Sequence, residues 1–158
     1  MPEAPEYQID GSKIYRTTIV LDRGTIVADL DPQLAANTVN NFVGLARQGF
    51  YDGLTFHRVV PEFVIQGGDP DGTGSGGPGY QFADEPVRGE YTLGAVAMAN
   101  AGPDTNGSQF FVCIDDCTTK LQKNYNLFGY VVDGIDVAQQ TQVGDVMESV
   151  TIEETPRD

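Results

Sequence analysis

The chain has 158 residues, 40% hydrophobic and 20% charged, the size and make-up of one folded globular domain. Nine Lys and Arg against 23 Asp and Glu leave a net charge of −14. Such a surface cannot neutralise phosphates, so nucleic acid and anionic membrane are excluded as expected partners, and no apolar run approaches the roughly 20 residues of a membrane span.

Residues 1–13 are polar, carry two prolines and read as an N-terminal arm. Met1 to Glu6 is acidic and lacks the apolar stretch of a signal peptide, so a cytoplasmic, reducing location is expected. A single domain is expected over residues 14–153, with a short tail at 154–158. Ile14 to Leu30 reads as a hairpin: two runs of β-formers are separated by Asp22-Arg23-Gly24. Asp31-Pro32 then predicts the start of an amphipathic helix of about 15 residues, capped by Asp31 with Pro32 in its first position. Gly49 closes it in a left-handed conformation.

Beyond residue 50 glycines multiply and short apolar runs alternate with turn signals. Strands are expected at 54–59, 62–67, 95–99, 109–114, 127–132 and 146–153, with a second short helix at 134–141. Many short strands with few helices point to a closed or sandwiched β-structure.

Several chemistries fail on residue type. The glycine-rich segment 67–79 lacks the Gly-Lys-Ser/Thr ending and the following helix of a phosphate loop, and reads as a surface loop with positive-φ glycines. Asp69, Asp71 and Thr73 resemble the start of a calcium loop, but Tyr80 stands where a bidentate Glu is required. Cys113 and Cys117 have no further ligands at zinc spacing and read as ordinary thiols. The one histidine, His57, has no nucleophile elbow to serve, since Ser108 lies in Asn106-Gly-Ser-Gln; it reads as a structural residue.

Arg58 is different, because a long cation among apolar strand residues needs a reason. It is either an exposed or salt-bridged residue on the sheet wall, or a functional cation. Strand alternation puts Val64 and Gln66 on one face and Gln109 and Phe111 on one face, with Phe110 turned the other way. If Arg58, Gln66, Gln109 and Phe111 converge, they form a cation, two amides and an aromatic floor. That patch suits an extended peptide and offers no acid, base or nucleophile for hydrolysis.

Phe56-His-Arg-Val-Val-Pro-Glu-Phe-Val-Ile-Gln-Gly-Gly-Asp and Met98-Ala-Asn-Ala-Gly-Pro-Asp-Thr-Asn-Gly-Ser-Gln-Phe-Phe-Val resemble, in order, two signatures of the cyclophilins, the cyclophilin-type peptidyl-prolyl cis-trans isomerases. The similarity runs from about Ile19 to Ile152. The short loops and the Gly-Gly-Pro-Gly-Tyr stretch resemble the bacterial branch. The resemblance implies a mainly β fold, a closed eight-stranded antiparallel β-barrel capped by two α-helices. It implies catalysis of rotation about Xaa-Pro bonds in folding proteins, without covalent intermediate or cofactor.

Residue by residue, the resemblance makes Arg58 the catalytic arginine and Gln66 its companion amide. Phe63, Val64, Phe111, Leu121 and Tyr125 become the proline pocket. Gly72, Ala99, Asn100, Ala101 and Gln109 become peptide-binding positions. Three residues depart from the eukaryotic pattern. Val64 replaces methionine and Tyr125 replaces histidine. Lys120 stands where many members have tryptophan, which removes an indole donor and weakens cyclosporin binding. The expected partners are proline-containing peptides and unfolded or folded protein clients, with no metal, and the expected state is a monomer. The alternatives are a non-catalytic proline-peptide module, a folding chaperone on the same barrel and, more remotely, a small-molecule carrier.

Overall fold

Alternation starts at Lys13 and lays down the first hairpin, β1 (Lys13–Leu21) and β2 (Gly24–Leu30), turned at Asp22-Arg23. Tyr15, Thr17, Ile19 and Leu21 point inward with Ile26, Ala28 and Leu30 of the partner strand. The computed structural model describes residues 4–157; positions 1–3 and 158, parts of the expected arm and tail, lie outside the described residues.

The first helix, α1 (Ala36–Arg47), starts later than Asp31-Pro32 predicts. The Asp31 carboxylate accepts the Gln33 N–H at 2.9 Å and two bonds from Arg157, and Leu34 N–H closes a turn onto Asp31 O. The helix is instead capped from afar: Glu85 accepts the N–H groups of Asn37 and Thr38 at 3.1 and 2.7 Å. A carboxylate at a helix N-terminus satisfies orphan donors and meets the positive end of the dipole. Gly49 ends the helix at φ +76°, its N–H on Ala46 O, as expected.

The remaining elements are β3 (Arg58–Val60), β4 (Val64–Gly67), β5 (Ala95–Met98), β6 (Phe110–Cys113), β7 (Leu127–Asp133), α2 (Ile135–Gln140) and β8 (Ser149–Pro156). Most expected strands are present and shorter, but of the one expected at 54–59 only the end forms, as β3, with Thr55 in an isolated bridge to Val146. β8 runs further: Glu154 and Pro156 of the expected tail pair with Tyr15 and Lys13. The arm is likewise less loose than its composition suggests. Gln8 N–H bonds Asn40, Arg47 bonds Gln8, Ile9 is buried, and Pro5 lies so close to Gly44 that a Cβ there would sit 2.2 Å from it.

All strands are antiparallel in one sheet ordered β3-β4-β6-β5-β7-β2-β1-β8. The closure expected of a barrel is not a strand ladder. β3 is three residues long and β8 spends its pairing on β1. The two edges meet through the segments before them: Gly53 and Phe56 N–H donate to Met147 O and Asp145 O at 2.8 and 2.9 Å, and Met147 and Gly144 N–H donate to Leu54 O and Phe56 O.

The sheet is buried on both faces where β4, β6 and β5 run together. Ile65, Phe110, Val112, Val96 and Met98 face the main core, where the rings of Phe42, Tyr51, Phe56 and Phe128 gather with α1. Val64, Phe111, Cys113, Ala95 and Ala97 face a second cluster roofed by the loop that carries Cys117, Leu121 and Tyr125. This two-sided burial produces continuous apolar runs such as Ala95-Val-Ala-Met. Among the described residues no helix is long and apolar enough to cross a membrane.

The C-terminus is tied back by Arg157, whose Nη1 and Nη2 donate to the Asp31 carboxylate at 2.9 and 2.6 Å. These bonds hold the Asp31 carboxyl below the usual range, against its partial burial, with help from the Gln33 N–H. The Asp31 folded value is thus depressed, so this stability is present above the ordinary carboxylate pKa of about 3.9 and is lost as pH falls through the lower folded value. Arg157→Ala is expected to cost about 0.5–1 kcal/mol at pH 7, the pair being partly exposed. The gap to wild type should close in urea titrations carried out toward pH 2, and a gap that does not change with pH would refute the assignment to Asp31.

Candidate functional site

Cross-strand register assembles the site. Arg58 lies opposite Gln66 in the β3–β4 pair, and Gln66 lies opposite Phe111 in the β4–β6 pair. On a pleated sheet, directly paired residues project to the same side, so three residues far apart in sequence become one row. They open into a cavity of about 550 Å³ that is also lined by Phe63, Val64, Ala99, Asn100, Leu121 and Tyr125.

Its polar side is a chain of hydrogen bonds. Arg58 Nη1 donates to Gln66 Oε1 at 3.0 Å, and Gln66 Nε2 donates to Gln109 Oε1 at 3.0 Å. Gln109 Nε2 in turn donates to the carbonyls of Gly74 and Gly76 at 2.9 and 3.0 Å. Each amide is oriented by the next, and the last is held by backbone. The planar guanidinium is therefore aimed from one end, while its Nε and Nη2 have no partner among the described residues and Arg58 is exposed. It forms no ion pair there.

The apolar side is deeper. Val64 and Phe111 are 2% and 4% exposed and form the floor. Tyr125 stands edge-on to Phe111, ring centres 5.5 Å apart. Phe63 and Leu121 are half-buried rims. The loop behind them is pinned by Tyr91, whose hydroxyl donates to Tyr125 O at 2.6 Å; burial pushes that hydroxyl up to about 12. Cys117 Sγ reaches Phe63 O at 3.4 Å. Burial raises both the Cys113 and Cys117 thiols, so they act here as packing groups.

The remaining predicted residues divide. Ala99 N–H is taken by Gln109 O and Ala101 N–H by the Thr105 hydroxyl. Between them, the Asn100 backbone N–H and C=O carry no intramolecular bond among the described residues; its side chain instead bonds Asn124 O. Ala101 and Gln109 line an adjoining cavity. Gly72 lines neither one; it holds a turn at φ +68° with its N–H on Asp69 O. Thr73 and Gly74 of the same loop line the first cavity. Lys120 is not on the rim: Nζ bonds Glu62 O and lies 3.8 Å from Asp115.

His57 also lines the cavity, and neither ring nitrogen has a partner among the described residues. Sequence reasoning set it aside as structural because no second metal ligand or nucleophile elbow accompanies it. The strand begins only at Arg58, so strand alternation does not decide which way residue 57 faces. The buried carboxylate of Asp69 was likewise not foreseen. It accepts N–H groups from Asp71, Thr73, Gly74 and Gly76 at 2.6–3.1 Å. Burial opposes its charge, and these four bonds outweigh that and hold its carboxyl below the ordinary value. The glycine-rich loop is thereby wound around an internal anion.

The family model described as cyclophilin type peptidyl-prolyl cis-trans isomerase matches residues 16–157. A peptidyl-prolyl cis-trans isomerase B of Bacillus subtilis is 48% identical over 134 residues, 84% of this chain and 93% of that protein. A peptidyl-prolyl cis-trans isomerase of Helicobacter pylori is 41% identical over 151 residues, 91% and 92% of the two chains. Among solved structures, a cyclophilin-type isomerase of Cryptosporidium parvum superposes with a TM-score of 0.82 at 29% identity, covering 90% of this chain and 99% of that one. The same protein has been solved in the presence of the dipeptide Ala-Pro.

Proposed function

The chain belongs to the cyclophilin-type peptidyl-prolyl cis-trans isomerases, and from that premise we propose that Arg58 acts on an Xaa-Pro bond whose ring is seated on Phe111 and Val64. The observation that carries this assignment is the row Arg58–Gln66–Phe111, which sets an oriented cation beside an apolar socket.

The Xaa-Pro amide resists rotation because twisting destroys the resonance of its C–N bond, a barrier of about 18–20 kcal/mol. Uncatalysed exchange takes tens to hundreds of seconds. Turnover of roughly 1–1,000 per second needs the removal of on the order of 3–7 kcal/mol. No bond is made or broken. Phe63, Val64, Phe111, Leu121 and Tyr125 hold the pyrrolidine ring still. The free backbone groups of Asn100 grip the flanking chain, with Ala99 and Ala101 shaping that edge and Gly72 the neighbouring loop. As the amide twists, its nitrogen becomes pyramidal and regains a lone pair. Arg58 donates to that nitrogen, or to the rotating carbonyl oxygen, more strongly than to the planar ground state. A donor already oriented by Gln66 and Gln109 pays little reorganisation at that moment.

The substrates in this reading are proline-containing segments of protein clients, bound by a monomer. The hydrogen bonds between 53–56 and 144–147 support taking the sheet as a barrel sealed at that seam. A cytoplasmic setting is part of the same reading. Lys120, turned to Glu62 O, offers no rim donor and supports weak cyclosporin binding.

The test is cis-to-trans exchange of an Ala-Pro peptide followed by NMR, with no coupling protease. Exchange accelerated at catalytic amounts of protein is the expected result. Saturable peptide binding without acceleration would replace this reading by a non-catalytic proline-peptide module.

A further inference from the structure

The cavity beside Arg58 holds one side chain that the chemistry above does not use. His57 lines it together with Thr73 and Gly74, and both ring nitrogens, Nδ1 and Nε2, are buried without a partner among the described residues. A buried polar group left unpaired costs free energy, and an apolar ring of nearly the same shape would avoid that cost. Packing alone therefore does not account for an imidazole at this position.

The ring is held from two sides. Thr55 bridges Val146, the Phe56 N–H donates to Asp145 O, and the Gly144 N–H donates to Phe56 O, so the chain enters residue 57 from a fixed seam. Across from it lies the glycine-rich loop, where a Cβ on Gly74 would come within 3.9 Å of Nε2. Gly74 is itself fixed: its N–H donates to the Asp69 carboxylate at 2.6 Å and its carbonyl accepts from Gln109 at 2.9 Å. The imidazole is thus in place before any client arrives.

The amides and the threonine around it are committed. Gln66 is bonded at both ends of its amide. The Asn100 amide donates to Asn124 O and accepts the Gly102 N–H. The Thr73 hydroxyl accepts the Ser75 N–H. Arg58 has free N–H groups, but a guanidinium only donates. An extended client presents N–H groups as well as carbonyls, and Arg58 cannot accept one; a neutral imidazole can. His57 lines this cavity and not the adjoining one, whereas Asn100, whose backbone carbonyl is free, lines both. The two acceptors therefore serve different stretches of the client.

We infer that the neutral imidazole of His57 is a further client-binding group, one ring nitrogen accepting one of the two backbone N–H groups that flank the proline. The inference rests on the proposed isomerase reading only in that the prolyl ring occupies this cavity.

The test is a double-substitution cycle on the full chain. Blocked Ala-Ala-Ala-Pro-Ala-Ala and two depsipeptide analogues, each with one flanking N–H replaced by an ester oxygen, are titrated by NMR against wild type and His57→Phe. The titrations are run at about pH 8, where histidine is ordinarily neutral. His57→Phe keeps a ring and removes both nitrogens, so its Tm should equal or exceed that of wild type. The parent peptide should bind the variant about three- to tenfold more weakly, the worth of one hydrogen bond. One ester analogue should bind the two proteins alike, and the other should keep the full difference. His57 is the one histidine of the chain, so its ring can be read directly: one ring 15N resonance should shift on saturation with the parent peptide and not with the insensitive analogue. A variant with lower Tm and unchanged Kd, or a difference equal for all three peptides, overturns the inference and makes His57 a packing residue. Because titration reads the contact without turnover, the expected pattern in a protein that does not isomerise the peptide supports the contact while refuting catalysis. Isomerisation without that pattern refutes the contact alone.

Discussion

Arg58→Ala lowers kcat/KM for an Ala-Pro peptide by on the order of 10²–10³, the cost of deleting one preorganised transition-state donor. The Kd of the same peptide changes by no more than about threefold. The separation follows from where Arg58 stands. It contributes no wall to the apolar socket and is exposed, so it adds little to ground-state burial. Its directed bond to Gln66 orients the guanidinium at the cavity, where the proposed mechanism puts the developing charge. Arg58→Lys recovers only part of the loss, because an ammonium cannot keep one N–H on Gln66 while presenting a planar fork to the twisted amide. The measurement is NMR exchange beside a binding titration. A variant that loses affinity and rate in equal proportion would make Arg58 a simple binding residue.

Phe110 and Phe111 are adjacent and should fail in opposite ways. Phe110 is fully buried and meets the rings of Phe42, Tyr51 and Phe56 at 5.3–6.1 Å. Phe110→Ala leaves a cavity in the main core and is expected to cost about 3–5 kcal/mol, lowering Tm by roughly 10–15 °C. At temperatures where it remains folded its kcat should be near that of wild type. Phe111 lies on the other face, on the floor of the candidate site and against Tyr125. Phe111→Ala should raise KM about tenfold or more, since the lost apolar contact with the prolyl ring is of the order of 1–2 kcal/mol, with a smaller loss of stability. Thermal melts and steady-state exchange on the pair would check both. Equal damage to Tm and KM in both variants would mean that β6 does not separate core from site.

Much of this was readable in order along the chain. The first hairpin, Gly49 as the helix end and the positions of the later strands follow from composition and period alone. The shared faces of Val64 with Gln66 and of Gln109 with Phe111 are local too, whereas the convergence of Arg58, Gln66 and Phe111 is set by cross-strand register. Where reading failed, the deciding partner was distant. The helix starts at Ala36 because Glu85 caps it. The arm is held by Asn40 and Arg47, and the tail becomes strand because Lys13 and Tyr15 pair with it.

The sequence by itself determined the residue types and the two motifs, hence the family and the set of side chains available for its chemistry. Strand period also determined which of those side chains share a face, since that depends only on neighbours two residues apart. The tertiary structure alone decided the register that places Gln66 between Arg58 and Phe111, the winding of the glycine loop around Asp69, and the cavity in which the His57 ring nitrogens are left unpaired. These depend on bonds between residues 8 to 43 positions apart or on the competition of many donors for one carboxylate. Such bonds form only when the folded chain brings the groups together and excludes the water that would otherwise satisfy them.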